Sequence, residues 1–134
     1  MEKTSSKILI VDDAPNWRTT LETLLKSYGY TVTVAASVLD ASEAFRSGPF
    51  AVAILDVRLD AFDDSNHEGV STVLAAAHQK FPQMSFIVIS SYYNEADVRS
   101  FAPPDANLFY FDKNNFLIDK LLDTLQQLVH QNVD

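Results

Sequence analysis

Ala51-Val52-Ala53-Ile54-Leu55 is an unbroken apolar run that ends on a carboxylate, Asp56. A run of this kind reads as a strand buried on both faces of a parallel sheet, because a half-solvated strand alternates with polar positions. Lys7-Ile8-Leu9-Ile10-Val11 repeats the pattern and runs into Asp12 and Asp13. In open α/β sheets, ligands bind just beyond the carboxyl ends of the strands. Two strands therefore bring three carboxylates to the rim where chemistry is done.

The rest of the chain fits around these strands. Pro15 falls where the first turn of a helix tolerates it, and Trp17, Leu21, Leu24, Leu25 and Tyr28 follow at helical spacing up to Gly29. Thr31 to Ala35 form a short β-branched strand. Ser37 and Asp40 resemble a capping box, opening a helix that buries Val38, Ala41, Ala44 and Phe45 before Gly48-Pro49 breaks the chain. Beyond Asp56, the segment from Val57 to Gly69 is polar and long for a strand-to-helix link. A third helix uses Val70, Val73, Leu74 and Ala77 and ends near Phe81-Pro82. Ser85 to Ile89 is the fourth strand, leading into Ser90-Ser91. Asn94 with Asp97 opens a short helix that Pro103-Pro104 must end. Asn107 to Phe111 is the last strand, and Leu117, Leu121, Leu125 and Leu128 mark the final helix, with Ile118, Leu122 and Val129 widening its apolar face.

Strand alternates with helix five times, which argues for a parallel sheet covered by helices on both sides. Right-handed crossovers place every carboxyl end on one rim, so Asp12, Asp13, Asp56, Ser90 and Lys113 are expected to converge. The 134 residues suit one domain, 1–134, with a single core. A formal charge of −8 argues against direct binding of nucleic acid or anionic membrane and favours partners with basic surfaces. With no cysteine there is no disulfide or thiol chemistry, and the start lacks the apolar core of a signal peptide. A soluble cytoplasmic domain is the expectation.

Three carboxylates held close cannot all stay ionised cheaply, since each charge raises the proton affinity of the others. A divalent cation relieves the conflict. Magnesium suits the donors, because it takes a few oxygens, keeps waters and leaves positions open for phosphate. A carboxylate can then attack phosphorus to give an acyl phosphate while the metal and a lysine neutralise charge, with Lys113 the evident cation and Ser90 the evident hydroxyl.

In these residues the chain resembles the receiver domain of bacterial two-component response regulators, over essentially its whole length. The resemblance implies a flavodoxin-like doubly wound five-stranded parallel sheet in the order 2-1-3-4-5, with five helices. It implies that Asp56 accepts a phosphoryl group from a sensor histidine kinase or a histidine phosphotransfer protein. Asp12, Asp13, Asp56 and the backbone carbonyl of Arg58 would hold Mg2+, while Ser90 and Lys113 would each meet a phosphoryl oxygen. Tyr110 matches the aromatic switch position, paired with Ser90. Arg58 and Tyr92 match positions that tune hydrolysis, and their bulk implies slow loss of phosphate. A protein of this kind is a signalling phospho-acceptor that assists its own phosphorylation and dephosphorylation, not an enzyme in the ordinary sense. Its output is a change of contacts with a downstream protein effector, expected in another chain.

Plainer readings stand beside these. Asp13 alone would be a helix cap, although the adjacent Asp12 exceeds what one cap needs. Ser91 offers a hydroxyl next to Ser90, and an aromatic such as Tyr110 in a strand is usually core. Asp60, Asp63, Asp64, His67 and Glu68 lack the spacing of a calcium loop and read as a solvated insertion. His67, His78 and His130 read as surface residues. Two departures from the family pattern are visible: Asn114 follows Lys113 where proline is usual, and the acidic Asp60–Glu68 loop replaces a short one. The rival functions are a degenerate receiver that acts as a phosphorylation-independent interaction module, an aspartyl phosphatase, and a flavin-binding protein. The phosphatase would need a second Asp where Arg58 stands, and Asp12-Asp13 would repel a flavin's phosphate.

Overall fold

Five parallel strands form one sheet in the order β2-β1-β3-β4-β5. The chain runs through β1 (Lys7–Val11), α1 (Pro15–Ser27), β2 (Thr31–Ala35), α2 (Val38–Arg46), β3 (Val52–Asp56) and α3 (Glu68–Lys80), then β4 (Ser85–Ser90), α4 (Glu95–Phe101), β5 (Asn107–Asp112) and α5 (Ile118–Gln131). The computed structural model describes residues 7–12, 14–56, 68–91, 93–115 and 118–131.

The apolar runs are continuous because their residues face two cores by turns, as the period of two along a strand requires. Leu9, Val11, Ala53, Leu55, Phe86 and Val88 pack with Ala41 and Phe45 of α2, Val73, Leu74 and Ala77 of α3, and Val98 of α4. Ile8, Ile10, Val52, Ile54, Ile87 and Ile89 pack on the other face, with Leu21 and Leu25 of α1 and Leu121, Leu125 and Leu128 of α5. Every residue of β3 and β4 is buried, whereas the edge strand β2 leaves Thr31, Thr33 and Val34 exposed.

Local chemistry sets the helix ends. Pro15 opens α1 after Ala14, and Gly29, at φ 91°, turns the chain back toward β2 in a conformation that favours glycine. Asn94 and Asp97 form a reciprocal capping box on α4. At α2 the box is only half made. Ser37 accepts from Asp40 N, but the Asp40 carboxylate accepts from Ala36 N at 3.3 Å, one residue further back.

Three sequence expectations shift. Tyr28 is 61% exposed, because α1 ends at Ser27 and the ring falls past the buried stripe. Strands β4 and β5 each extend one residue further, to Ser90 and Asp112, since these residues still pair with each other. His78 is half-buried, not a free surface residue. It lies four residues after Leu74 on the same helix face, and its Nε2 meets Asp105 Oδ1 at 3.0 Å. His67 and the side chain of His130 lie outside the described residues, as does the insertion from Asp60 through His67.

Candidate functional site

Strands β1 and β3 are adjacent and parallel, so the residues that close them emerge side by side. Asp12 and Asp56 are only 2% and 5% exposed, at the carboxyl edge of the sheet. Asp12 is fixed by the start of α1. Its backbone N–H donates to the Ala35 carbonyl at 3.0 Å, its Oδ1 accepts from Ala14 N at 2.8 Å, and its carbonyl accepts from the Arg18 guanidinium at 2.8 Å. Lys113 follows β5 and reaches back across β4. Its Nζ lies 3.0 Å from Asp56 Oδ2 and 3.9 Å from Asp12 Oδ2.

One ammonium does not neutralise two buried acids. Burial first, and then the Asp56 charge beside it, push the Asp12 carboxyl from its ordinary 3.8 to about 7; the Ala14 N–H and Lys113 oppose the rise without reversing it. A pair of buried hard oxygen donors under this strain suits a divalent cation of the magnesium or calcium kind.

The raised Asp12 value predicts a pH dependence with a definite sign. The folded state keeps a proton that the unfolded chain releases, so without metal this group's contribution to stability is full below about pH 4 and is lost as pH rises through about 7. Asp12→Asn is expected to flatten that slope, which for one group reaches about 1.4 kcal/mol per pH unit. Urea unfolding in EDTA across pH 4–8 measures it.

Ser90 ends β4, next to β3 in the sheet, and is 1% exposed. Its Oγ accepts from Tyr93 N at 2.8 Å. Tyr110 on β5 is half-buried, and its hydroxyl donates to the Tyr93 carbonyl at 2.6 Å. Burial, then Asp112, Glu95 and Asp97, raise the Tyr110 phenol above its ordinary value, which keeps it a donor. The connection from β4 to α4 is thus tied to the rim through Ser90 and to β5 through Tyr110. Asn114 adds a third tie, its Nδ2 donating to the Ser91 carbonyl at 2.9 Å. No peptide bond among the described residues is cis, so Lys113–Asn114 is trans, and Lys113–Asn115 forms a 3-10 turn.

The structure thus brings Asp12, Asp56 and Lys113 into contact and links Ser90 to Tyr110 through Tyr93. Asp13, Arg58 and Tyr92 lie outside the described residues. Sequence reasoning gave no role at the site to Arg18, Tyr93 or Trp17, whose ring centroid lies 5.3 Å from Lys113 Nζ. Arg18 and Trp17 become visible only once α1 is laid beside β1. No helix among the described residues is long and apolar enough to cross a membrane.

Comparison with known proteins bears on what this site serves. The chain resembles a response regulator receiver domain protein from Methanospirillum hungatei, at 23% identity, 95% coverage of each chain and a TM-score of 0.79. It also resembles the signal receiver domain of an HD domain-containing protein from Pseudomonas fluorescens, at 22% identity, with 98% of this chain and 92% of that one covered and a TM-score of 0.78. These two likenesses speak to the fold. A response regulator protein from Thermotoga maritima, solved in complex with Mg(2+)-BeF, is 27% identical over 92% of this chain and 98% of that one, with a TM-score of 0.72. No curated protein matches the chain significantly. The family model for the response regulator receiver domain matches residues 8–126, so the chain belongs to that family, whose members act in two-component signalling as phospho-acceptors and not as classical enzymes.

Proposed function

We propose that this chain, as one receiver domain over residues 1–134, accepts a phosphoryl group on Asp56 and converts that event into altered contacts with an effector protein. The observation that carries the reading is the Lys113 ammonium 3.0 Å from a buried Asp56 carboxylate that shares its pocket with Asp12. The donor is the phosphohistidine of a sensor kinase or phosphotransfer protein. Asp56 Oδ attacks phosphorus as the phosphorus–nitrogen bond breaks, the electron pair leaves on the imidazole nitrogen, and a mixed anhydride remains on Asp56. Asp12, Asp13 and Asp56, with the Arg58 carbonyl, would hold Mg2+, which when bound supplies positive charge against the phosphoryl oxygens. Lys113 pairs with another of those oxygens without leaving the site. Arg58 and Tyr92, each two residues beyond a site residue in sequence, stand at the positions that tune hydrolysis in the family, and their bulk would slow the attack of water.

The contacts of Ser90 and Tyr110 supply a route outward. If Ser90 Oγ turns to donate its proton to a phosphoryl oxygen, the lone pair that accepts from Tyr93 N–H is displaced with it, and the Tyr93 carbonyl that holds Tyr110 moves in turn. Phosphorylation then shifts a population between two arrangements of this connection. Tyr110→Phe removes a bond present in the unphosphorylated arrangement. At about 1 kcal/mol for one hydrogen bond, the resting population is expected to move roughly fivefold toward the activated arrangement, read as amide shifts in α4 and β5.

Titration with beryllofluoride and magnesium, followed by amide NMR, tests the reading. Saturable shifts at Asp56, Ser90, Lys113 and Tyr110 are expected. A spectrum that magnesium and beryllofluoride leave unchanged would refute it and favour a phosphorylation-independent interaction module.

A further inference from the structure

Lys113 is the cation of the proposed site, yet its own turn does little to aim it. Its side chain has four rotatable bonds, and ordering such a chain costs up to about 2 kcal/mol. Asn114 spends its side chain on the Ser91 carbonyl, and its backbone N–H donates to Asp112 Oδ1 at 2.9 Å, so neither steadies the ammonium. The aromatic face of Trp17 lies against it instead.

Trp17 is the chain's only tryptophan. Its half-buried ring packs on the core face shared by α1 and α5, while its centroid lies 5.3 Å from Lys113 Nζ. The same Nζ is 3.0 Å from Asp56 Oδ2, so one position of the ammonium satisfies both the ring and the acid. The ring quadrupole attracts a cation within about 6 Å of the centroid, most strongly for tryptophan. The helix that carries Trp17 is itself anchored to the acids, through Ala14 N to Asp12 Oδ1 and Arg18 to the Asp12 carbonyl. Ring, ammonium and carboxylates thus form one connected unit.

We propose that Trp17 is a positioning residue whose indole face holds the Lys113 ammonium beside Asp56, so that phosphoryl transfer depends on an aromatic ring at position 17. This rests on Asp56 being the acceptor. The ring does not meet the phosphoryl group; it acts through Lys113.

Trp17→Phe and Trp17→Leu, compared with the natural chain, test the assignment by two readouts. The first is the NMR shift of the Lys113 protons next to Nζ, which an adjacent ring moves upfield. The second is the rate of Asp56 phosphorylation by acetyl phosphate with magnesium. Trp17→Leu is expected to bring the Lys113 shift to the ordinary lysine value and slow phosphorylation about fivefold. Trp17→Phe is expected to retain part of the shift and most of the rate. A leucine variant with unmoved Lys113 resonances and an undiminished rate would overturn the proposal. Equal slowing in both variants would overturn it too, since an apolar filler and a ring would then differ in nothing that matters. If the natural chain takes no phosphate, the acceptor reading fails while the Lys113 shifts still decide whether the ring holds the ammonium.

Discussion

Asp56→Asn is expected to abolish phosphorylation outright, with no label taken from acetyl phosphate or from a phosphorylated kinase domain. The amide nearly matches the carboxylate in shape, so the buried strand end keeps its packing. It loses the charge and nucleophilicity that attack on phosphorus requires. Stability should not fall with activity. Removing one of two neighbouring buried acids relieves the repulsion that adds to burial in pushing Asp12 upward, so the variant should unfold at equal or higher urea in EDTA at pH 7.5. Loss of labelling with stability kept separates a chemical role from a structural one.

Lys113→Ala is expected to have the second largest effect, in the opposite sense for stability. Lys113 is the cation that meets both Asp12 and Asp56, and its removal leaves two buried carboxylates facing each other. Stranding a fully buried charge costs several kcal/mol, but the Lys113 side chain is 24% exposed, which scales the expected loss to about 2 kcal/mol at pH 7.5 in EDTA. The deficit should shrink as pH falls toward 5, where the raised Asp12 carboxyl is protonated. Saturating magnesium should restore much of it, because an ion that binds only the folded state stabilises that state. Phosphorylation should slow on the order of a hundredfold, the usual consequence of removing one preorganised positive group from a site of charge transfer. Urea titrations with EDTA or magnesium, and labelling time courses, measure the two effects.

The sheet was legible because its central strands are buried on both faces and must be apolar throughout. Ala51 to Leu55 and Ser85 to Ile89 could scarcely be anything else. The order of the strands came from the resemblance, since alternation alone argues for a parallel sheet without fixing neighbours. The closeness of Asp12, Asp56 and Lys113 follows from that order, which sets their strands within one sheet with all carboxyl ends on one side. Properties that depend on how a helix rotates against the sheet were not legible. Trp17 shares a periodic stripe with Leu21 and Leu25, and that period says nothing about the lysine nearly a hundred residues later whose ammonium its ring faces. His78 looked polar and therefore exposed, whereas the stripe that buries Leu74 half-buries its ring, which meets the exposed Asp105 at the rim of that stripe. Tyr110 escaped a simple reading as core because its half-buried ring ends in a hydroxyl that grips a backbone carbonyl. Asn114 departs from the family pattern, and its exchange of proline for a donor amide matters only because Ser91 lies within reach.

The proposed acceptor is Asp56, in the buried acidic cluster it forms with Asp12 beside Lys113. Incubating the chain with phosphoramidate and magnesium, then mapping acyl phosphate by borohydride reduction and peptide mass spectrometry, tests it most directly. A single modified residue, Asp56, is expected, with labelling lost in EDTA. Stable labelling of another residue, or none at any magnesium concentration, would contradict it.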